Sequence, residues 1–438
     1  MSTGTSAAAA SDRGGLSVRS LATRVSWGLG DQAVSSLTNL LVGLVVARSL
    51  GPVEFGIFAL AWATYGAILN VSRGIASDPL VVRHSGVPIP AWRTALSQAT
   101  GGALLVGLVM CVLLLGAGLT IEGSLGAALI ALGATMPFLL IQDVWRFGFF
   151  AAGKGAQACL NDTIWAVALV PALLLVGHDG SVVAFILAWG GAAGVAALAG
   201  CVQAHTVPRP HRVPAWLRDH RDLGPRYVLE NVSNSGASQL RSYGLGVITG
   251  LVAVGAVRGA ELLLGPFLAV LMGLSLVAVP EASRVARNRP ERLARFCLLL
   301  SGVQAFAALA WGLGLALFIP DALGRELLGD VWPTASVLIL PATFAAAFAG
   351  LASGAATGLR ARGAARRSLH AQLLSSAAYI TGGLGGAYLD GAFGSSCGVA
   401  VGVLLGSIGW WRQLRAELRV ELPPRAAVAS DKTNKEHS

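Results

Sequence analysis

Twelve apolar runs, each close to the 20 or so residues that a helix needs to cross a bilayer, take up most of this chain. They fall at roughly 26–47, 56–77, 95–118, 125–149, 159–177, 181–204, 227–250, 262–282, 296–319, 334–358, 369–388 and 392–411. No water-facing surface can be made from what is left. Charged residues make up 12% of the sequence and hydrophobic ones 54%, whereas a soluble domain carries about a quarter charged residues. The mean hydropathy is +0.67. The expectation is an all-α integral membrane protein with twelve transmembrane helices. The first and seventh runs are unusual in containing charge.

The loops test that count. Alternate connections hold Arg83 and Arg93; Lys154; Arg209, Arg212, Arg218, Arg221 and Arg226; Arg284, Arg287, Arg289, Arg292 and Arg295; and Arg360, Arg362, Arg366 and Arg367. Both chain ends share this basic character. The other connections hold Arg48, Arg258 and Arg325 against Glu54, Glu122, Asp179, Glu261, Asp321, Glu326, Asp330 and Asp390. This is the positive-inside pattern of twelve spans with both termini in the cytoplasm; losing one span would scramble it. The expected location is the cytoplasmic membrane, multi-pass. The net charge of +10 then reflects insertion and anionic headgroups rather than nucleic acid. Residues 1–25 are polar, lack the compact apolar region and small-residue cleavage site of a signal peptide, and are expected to form a flexible cytoplasmic tail. The five cysteines are solitary and read as small packing residues. Trp332 and Trp410–Trp411 suit an interfacial belt.

The Pro- and Arg-rich segment "HTVPRPHRVPAWLRDHRDLGPR" divides the chain after six runs. Sliding the second half over the first by 203 positions places Gly56 on Gly259 and Asp78 on Glu281, and sets "GDQAVSSLTN" against "SNSGASQLRS". The expected organisation is a six-helix bundle over 26–204, a linker over 205–226, a second six-helix bundle over 227–411 and a tail over 412–438. The two pseudo-symmetric bundles would face each other across a central cavity, a common transporter plan with its site at the interface.

Several stretches resemble one family. "VVARSLGPVEFGIFAL" is similar to the segment joining the first two helices of polysaccharide exporters, the O-antigen and teichoic-acid type flippases of the multidrug/oligosaccharidyl-lipid/polysaccharide exporter superfamily. "QLRSYGLGVITGLVAVGAVRGAELLLGPF" resembles their seventh helix and the turn into the eighth. "LIQDVWRFGFFAAGKGAQACLNDTIW" resembles their fourth-to-fifth helix region. The resemblance implies alternating-access transport of lipid-diphosphate-linked oligosaccharide from inner to outer leaflet. The implied partners are a polyprenyl-diphosphate-linked glycan, the bilayer, and a polysaccharide polymerase or glycosyltransferases.

Charges within the runs are the candidate site, because each costs at least about 2.5–3.5 kcal/mol to insert and needs a partner, water or a task. Asp31, Ser35, Thr38 and Asn39 share a face of the first helix. Glu230, Asn234, Ser238 and Arg241 share a face of the seventh. On the second helix Asn70, Arg73 and Ser77 lie together. Arg73 and Arg241 are the cations best suited to a diphosphate, since a guanidinium grips phosphate oxygens in pairs. Asp31, Glu230, Asn70 and Asn234 complete the expected cavity set. The bland readings are an Asp31–Arg241 bridge, and an Arg73 bridge to Asp78 or Asp143. Gln142, Asp143, Arg146 and Asp162, with Asp78 and Glu281 at matched helix ends, are expected to form a polar network shaping a gate. For Asp78 and Glu281, bridges to Arg83 or Arg284 are the simpler expectation.

No G-x-x-x-x-G-K-[ST] stretch is present, and the histidines show no metal-ligand spacing. No cofactor, metal or enzymatic role is expected, and any energy source would be a proton or sodium gradient. The competing class is a proton- or sodium-coupled multidrug exporter of the same superfamily, which Asp31 keeps open. The sign of the cavity separates the two: a cationic drug needs negative walls and a diphosphate needs arginines.

Overall fold

The computed structural model describes residues 18–177 and 180–419. Asp179 lies outside the described residues, as do the side chain of Asn234 and those of several residues between 269 and 277. The described chain is helical, with long helices α1 Val18–Ser49, α2 Pro52–His84, α3 Ile89–Thr120, α4 Gly123–Ala151, α5 Gly155–Val176, α6 Val182–Ala204, α7 Gly224–Thr249, α8 Leu251–Asn288, α9 Leu293–Phe318 and α10 Ile339–Ala361. The last stretch, Ala365–Leu418, is broken by non-helical torsions at Asp390 and Gly391 into α11 and α12. Gly391 has a φ of +54°, the left-handed region that glycine adopts at little cost.

Ten helices among the described residues are long and apolar enough to cross a membrane. The break at Asp390–Gly391 makes one of these two passes, and α7, long enough but more polar, supplies another. That restores the expected twelve. The first six pack as α3 on α4, α4 on α6, α5 on α6 and α1 on α5. The second six pack as α9 on α10, α10 and α7 on the α11–α12 hairpin, and α8 on α10. Small residues set the close approaches: Gly382 meets Gly398 and Gly386 meets Gly394 backbone to backbone across the hairpin, the small-xxx-small logic of helices in lipid.

The two sets of six join through α2, which packs on α7 and α8, and through α1 against α8. On the face opposite the basic loops the junction is tight. A Cβ at Gly56 would overlap the Leu251 carbonyl, and Gly255 sits against Pro52. Short helices Asp321–Leu328 and Trp332–Ser336 lie over that face, with Gly329 against the Arg48 backbone. Trp332 is buried there and donates to Asp321 Oδ1 at 2.9 Å, so it seals the junction instead of anchoring in the headgroups.

The linker forms a short helix, Val213–Asp219, strapped to α2. Pro79 has no N–H to give to the Ile75 carbonyl one turn earlier. The fully buried Trp216 supplies the missing donor, Nε1 to Ile75 O at 2.9 Å. Arg83 pairs with Asp222 at 2.7 Å and donates to the Asp219 carbonyl.

One expectation about the loops fails. The charge pattern places Arg258 and Glu261 in a connection outside the membrane. Helix α8 instead starts at Leu251, directly after Gly250 (φ +86°), which puts both residues two to three turns inside it. A charged pair at i, i+3 on one helix partly neutralises itself, so the insertion penalty that suggested a loop was overstated.

Candidate functional site: a charged cavity and a buried ion network

Two polar constellations lie inside the helices. The first is a cavity of about 560 Å³ bounded by α1, α2, α7, α8, α10, α11 and α12. Its α1 wall is Gln32, Ser36 and Asn39, at the i, i+4, i+7 spacing of one helix face. These residues lie on the basic-loop side of the point where Gly43 of α1 meets Leu262 of α8. With the opposite face tightly packed as described, the cavity lies on the basic-loop side of the junction.

The charges of the cavity converge on Glu261. Its Oε1 is 3.6 Å from Arg241 Nη1 and its Oε2 is 3.7 Å from Arg258 Nη1. Both distances exceed those of a charge-assisted hydrogen bond, about 2.7–2.9 Å. Arg241 is held from behind: Nε donates to Ser395 Oγ at 3.2 Å and Nη1 to the Tyr379 hydroxyl at 3.3 Å. The Arg258 guanidinium lies 5.1 Å from the centre of the Trp62 ring, within cation–π range. Trp62 in turn stacks on Trp189 at 4.9 Å. Two guanidiniums against one half-exposed carboxylate leave the site with one excess positive charge, and its ionic contacts are loose.

The second constellation lies within the first six helices. Arg73 grips Asp143 with Nη2 to Oδ1 at 2.6 Å and Nε to Oδ2 at 3.1 Å. Arg146 holds Asp31 Oδ2, with Nη2 at 2.5 Å and Nε at 2.7 Å, and reaches Asp162 at 3.4 Å. Gln142 donates to Asp162 Oδ1 at 2.8 Å and to Asn161 Oδ1 at 3.3 Å. Asn161 continues the chain to Gln203 at 2.8 Å. Three nearly fully buried carboxylates thus meet two partly buried guanidiniums. Asp31 is 1% exposed, and its Oδ1 is buried without a hydrogen-bond partner among the described residues. A π-turn over Arg73–Ser77 interrupts α2 at the start of this network. Single π-turns of this kind are frequent at functional sites.

The expected residues are redistributed accordingly. Arg241 lines the cavity. Asp31 does not: it turns toward Arg146, because one residue along a helix is a 100° rotation and the cavity face of α1 starts at Gln32. Arg73 lies against Asp143 within the first six helices, the alternative pairing foreseen for it. Asn70 sits at the junction and donates to Ser235 Oγ on α7 at 2.7 Å. Asp78 accepts from Asn231 at 2.7 Å, a partner on α7 and not the foreseen Arg83. Glu230 is exposed on α7, away from the cavity wall. Glu281 pairs with Arg284 at 2.9 Å, well away from Gln142, Asp143, Arg146 and Asp162. Sequence reasoning missed Arg258, Glu261, Tyr379 and Trp62. The i, i+3 charge pair in "GAVRGAELLLG" between apolar runs was the available signal for the first two.

No protein-family model and no curated protein matches the sequence. Solved structures do match by fold. An inward-facing multidrug resistance MATE family transporter of the MOP superfamily aligns with a TM-score of 0.68 at 16% identity, over 88% of this chain and 94% of that one. The lipid II flippase MurJ in an inward closed conformation aligns at 0.66 and 12% identity, over 89% and 87%. A MOP superfamily transporter from Pyrococcus furiosus, described as having a binding pocket of reversed polarity that suggests a different function, aligns at 0.56 and 15% identity, over 91% and 95%. The chain therefore has the fold of the MOP superfamily transporters, a group that includes both drug exporters and a lipid flippase.

Proposed function

We propose that this protein flips a lipid-diphosphate-linked oligosaccharide across the membrane by alternating access, for cell-surface polysaccharide assembly. The observation that carries the reading is the sign of the cavity: Arg241 and Arg258 flank a single carboxylate at 3.6 and 3.7 Å. A diphosphate entering from the basic side competes with Glu261 for two guanidiniums already oriented by Ser395, Tyr379 and Trp62. Phosphate geometry favours such arginines over lysine. A diphosphate diester brings two negative charges, one for each guanidinium once Glu261 gives them up. Pairing them makes it easier for the two bundles to close around the ligand and reopen on the other side.

The test is reconstitution in proteoliposomes with a lipid-diphosphate oligosaccharide. Arg241→Gln and Arg258→Gln should each reduce flipping by about ten- to a hundredfold, the loss expected when a charged hydrogen bond worth about 1.5–3 kcal/mol disappears. Normal flipping by both variants would rule out a diphosphate held in this cavity.

A second reading has its own observation. The network of three carboxylates and two guanidiniums, with Asp31 Oδ1 unpartnered, supports proton uptake and therefore gradient-coupled export of a drug, in line with the multidrug neighbour. Transport driven by an imposed pH gradient, for a cationic dye but not for the lipid-linked glycan, would favour that reading.

A further inference from the structure

A second groove, of about 340 Å³, continues from the cavity and shares Ala349, Tyr379 and Val403 with it. Its walls come from the second six helices. Its polar lining is Ser238, Ser353, Gln372, Ser375, Ser376 and Ser407, and no carboxylate lines it. Three helices contribute by register. Gln372, Ser375, Ser376 and Tyr379 follow i, i+3, i+4, i+7 on α11. Ala349, Ser353, Ala356 and Arg360 follow i, i+4, i+7, i+11 on α10. Val403, Ser407 and Trp410 follow i, i+4, i+7 on α12. Each helix therefore turns one sustained face to the same space. Two aromatic residues mark the course, Tyr379 at the cavity end and Trp410 further along, and Arg360 adds a positive charge to the lining.

Hydroxyls and an amide, aromatic rings and an absence of negative charge suit one ligand class better than others. Each hydroxyl can both donate and accept, as can each hydroxyl of a sugar. Ser238, Ser353 and Gln372 already donate within the chain, and Ser376 accepts from Gln372. Their remaining acceptor and donor capacity finds no partner in a lipid tail, and a cationic drug would meet Arg360 with no carboxylate to offset it. The volume lies at the lower end of small-molecule sites, about 300–1,000 Å³. We infer that this groove is a glycan subsite: a short neutral oligosaccharide lies along α10, α11 and α12 while the diphosphate to which it is joined sits on Arg241 and Arg258. The inference rests on the lipid-diphosphate reading above and adds to it a place for the sugar.

The experiment compares two probes on the full chain in detergent: polyprenyl diphosphate, and the same lipid carrying a short neutral oligosaccharide. The wild type should bind the glycosylated form about tenfold more tightly, the gain from a few added hydrogen bonds. Ser376→Phe, which fills the groove, should narrow the difference to within about twofold. Gln372→Leu is the second, milder variant and should lower it to about threefold. Equal binding of the two probes by the wild type, or a tenfold difference retained in both variants, overturns the subsite alone. If neither probe binds, the lipid-diphosphate reading falls, and the subsite with it.

Discussion

The interior of the first six helices and the cavity beside the second six are both charged, yet they are built in opposite ways. Around Arg73 and Arg146 the contacts are short: 2.6 Å to Asp143, and 2.5 and 2.7 Å to Asp31. Asp31, Asp143 and Asp162 are each buried. Around Glu261 the contacts stretch to 3.6 and 3.7 Å, and the carboxylate side chain is 43% exposed. A closed network holds helices in register, because breaking it leaves a buried charge uncompensated. An under-bonded one keeps its hydrogen-bonding capacity for something that arrives. On the reading proposed above, the comparison separates charges that maintain the bundle from charges kept for a ligand, even though arginine and carboxylate supply both.

The largest expected effect probes the closed side. Asp143→Ala removes the bidentate partner of the Arg73 guanidinium, whose side chain is 28% exposed, and should destabilise the protein by about 2–3 kcal/mol, the range for losing charged hydrogen bonds. Thermal unfolding in detergent measures it. Adding Arg73→Met, which removes the stranded charge, should restore most of the loss. If Asp143→Ala alone leaves the melting temperature unchanged, the network is not what holds these helices, and the contrast with the cavity collapses.

Next in size is the charge at the centre of the cavity. Glu261→Gln removes the one carboxylate among the described residues that pairs with Arg241 and Arg258. Two arginines are then free for an anion, and affinity for polyprenyl diphosphate should rise on the order of tenfold, about 1.4 kcal/mol. Stability should fall by no more than in Asp143→Ala: Arg241, 7% exposed, loses its counter-charge, but the ion pairs broken are long and Glu261 is half exposed. The sign decides between the functions: under the drug-exporter reading the same substitution weakens binding of a cationic dye.

Much of the architecture was legible because lipid enforces it. Apolar runs of a fixed length and a one-sided distribution of arginine follow from the bilayer as solvent, and the break at Asp390–Gly391 could be placed to within two residues between adjoining runs. The site was less legible for two reasons. Position on a helix face needs rotational precision: the difference between Asp31, locked on Arg146, and Gln32, which lines the cavity, is one residue. The rule that charge marks a loop also breaks down where charges neutralise one another, as Arg258 and Glu261 do inside α8. The bridge from Arg73 to Asp143, 70 residues apart in sequence, was one of two open to it; which one forms depends on which helices pack together, and helix spacing in the sequence does not encode that. The uneven bonding that distinguishes the two interiors is a matter of tenths of an ångström and appears only with coordinates.

The smallest expected effect refines the comparison at its boundary. Trp62 belongs to both regions: it stacks on Trp189 in the first six helices at 4.9 Å, and its ring lies 5.1 Å from the Arg258 guanidinium. If the cavity arginines are positioned by neutral partners and not by salt bridges, the ring is what keeps Arg258 directed at the ligand. Trp62→Leu should then weaken diphosphate binding by a factor of about two to five, matching a cation–π contribution of roughly 0.5–1 kcal/mol. In Glu261→Gln the weakening should be at least as large, because the ring is then the main group still orienting Arg258. A smaller effect of Trp62→Leu in that background would mean that Glu261 and the ring act on Arg258 as one unit, and the cavity would then be more tightly organised than its long ion pairs imply.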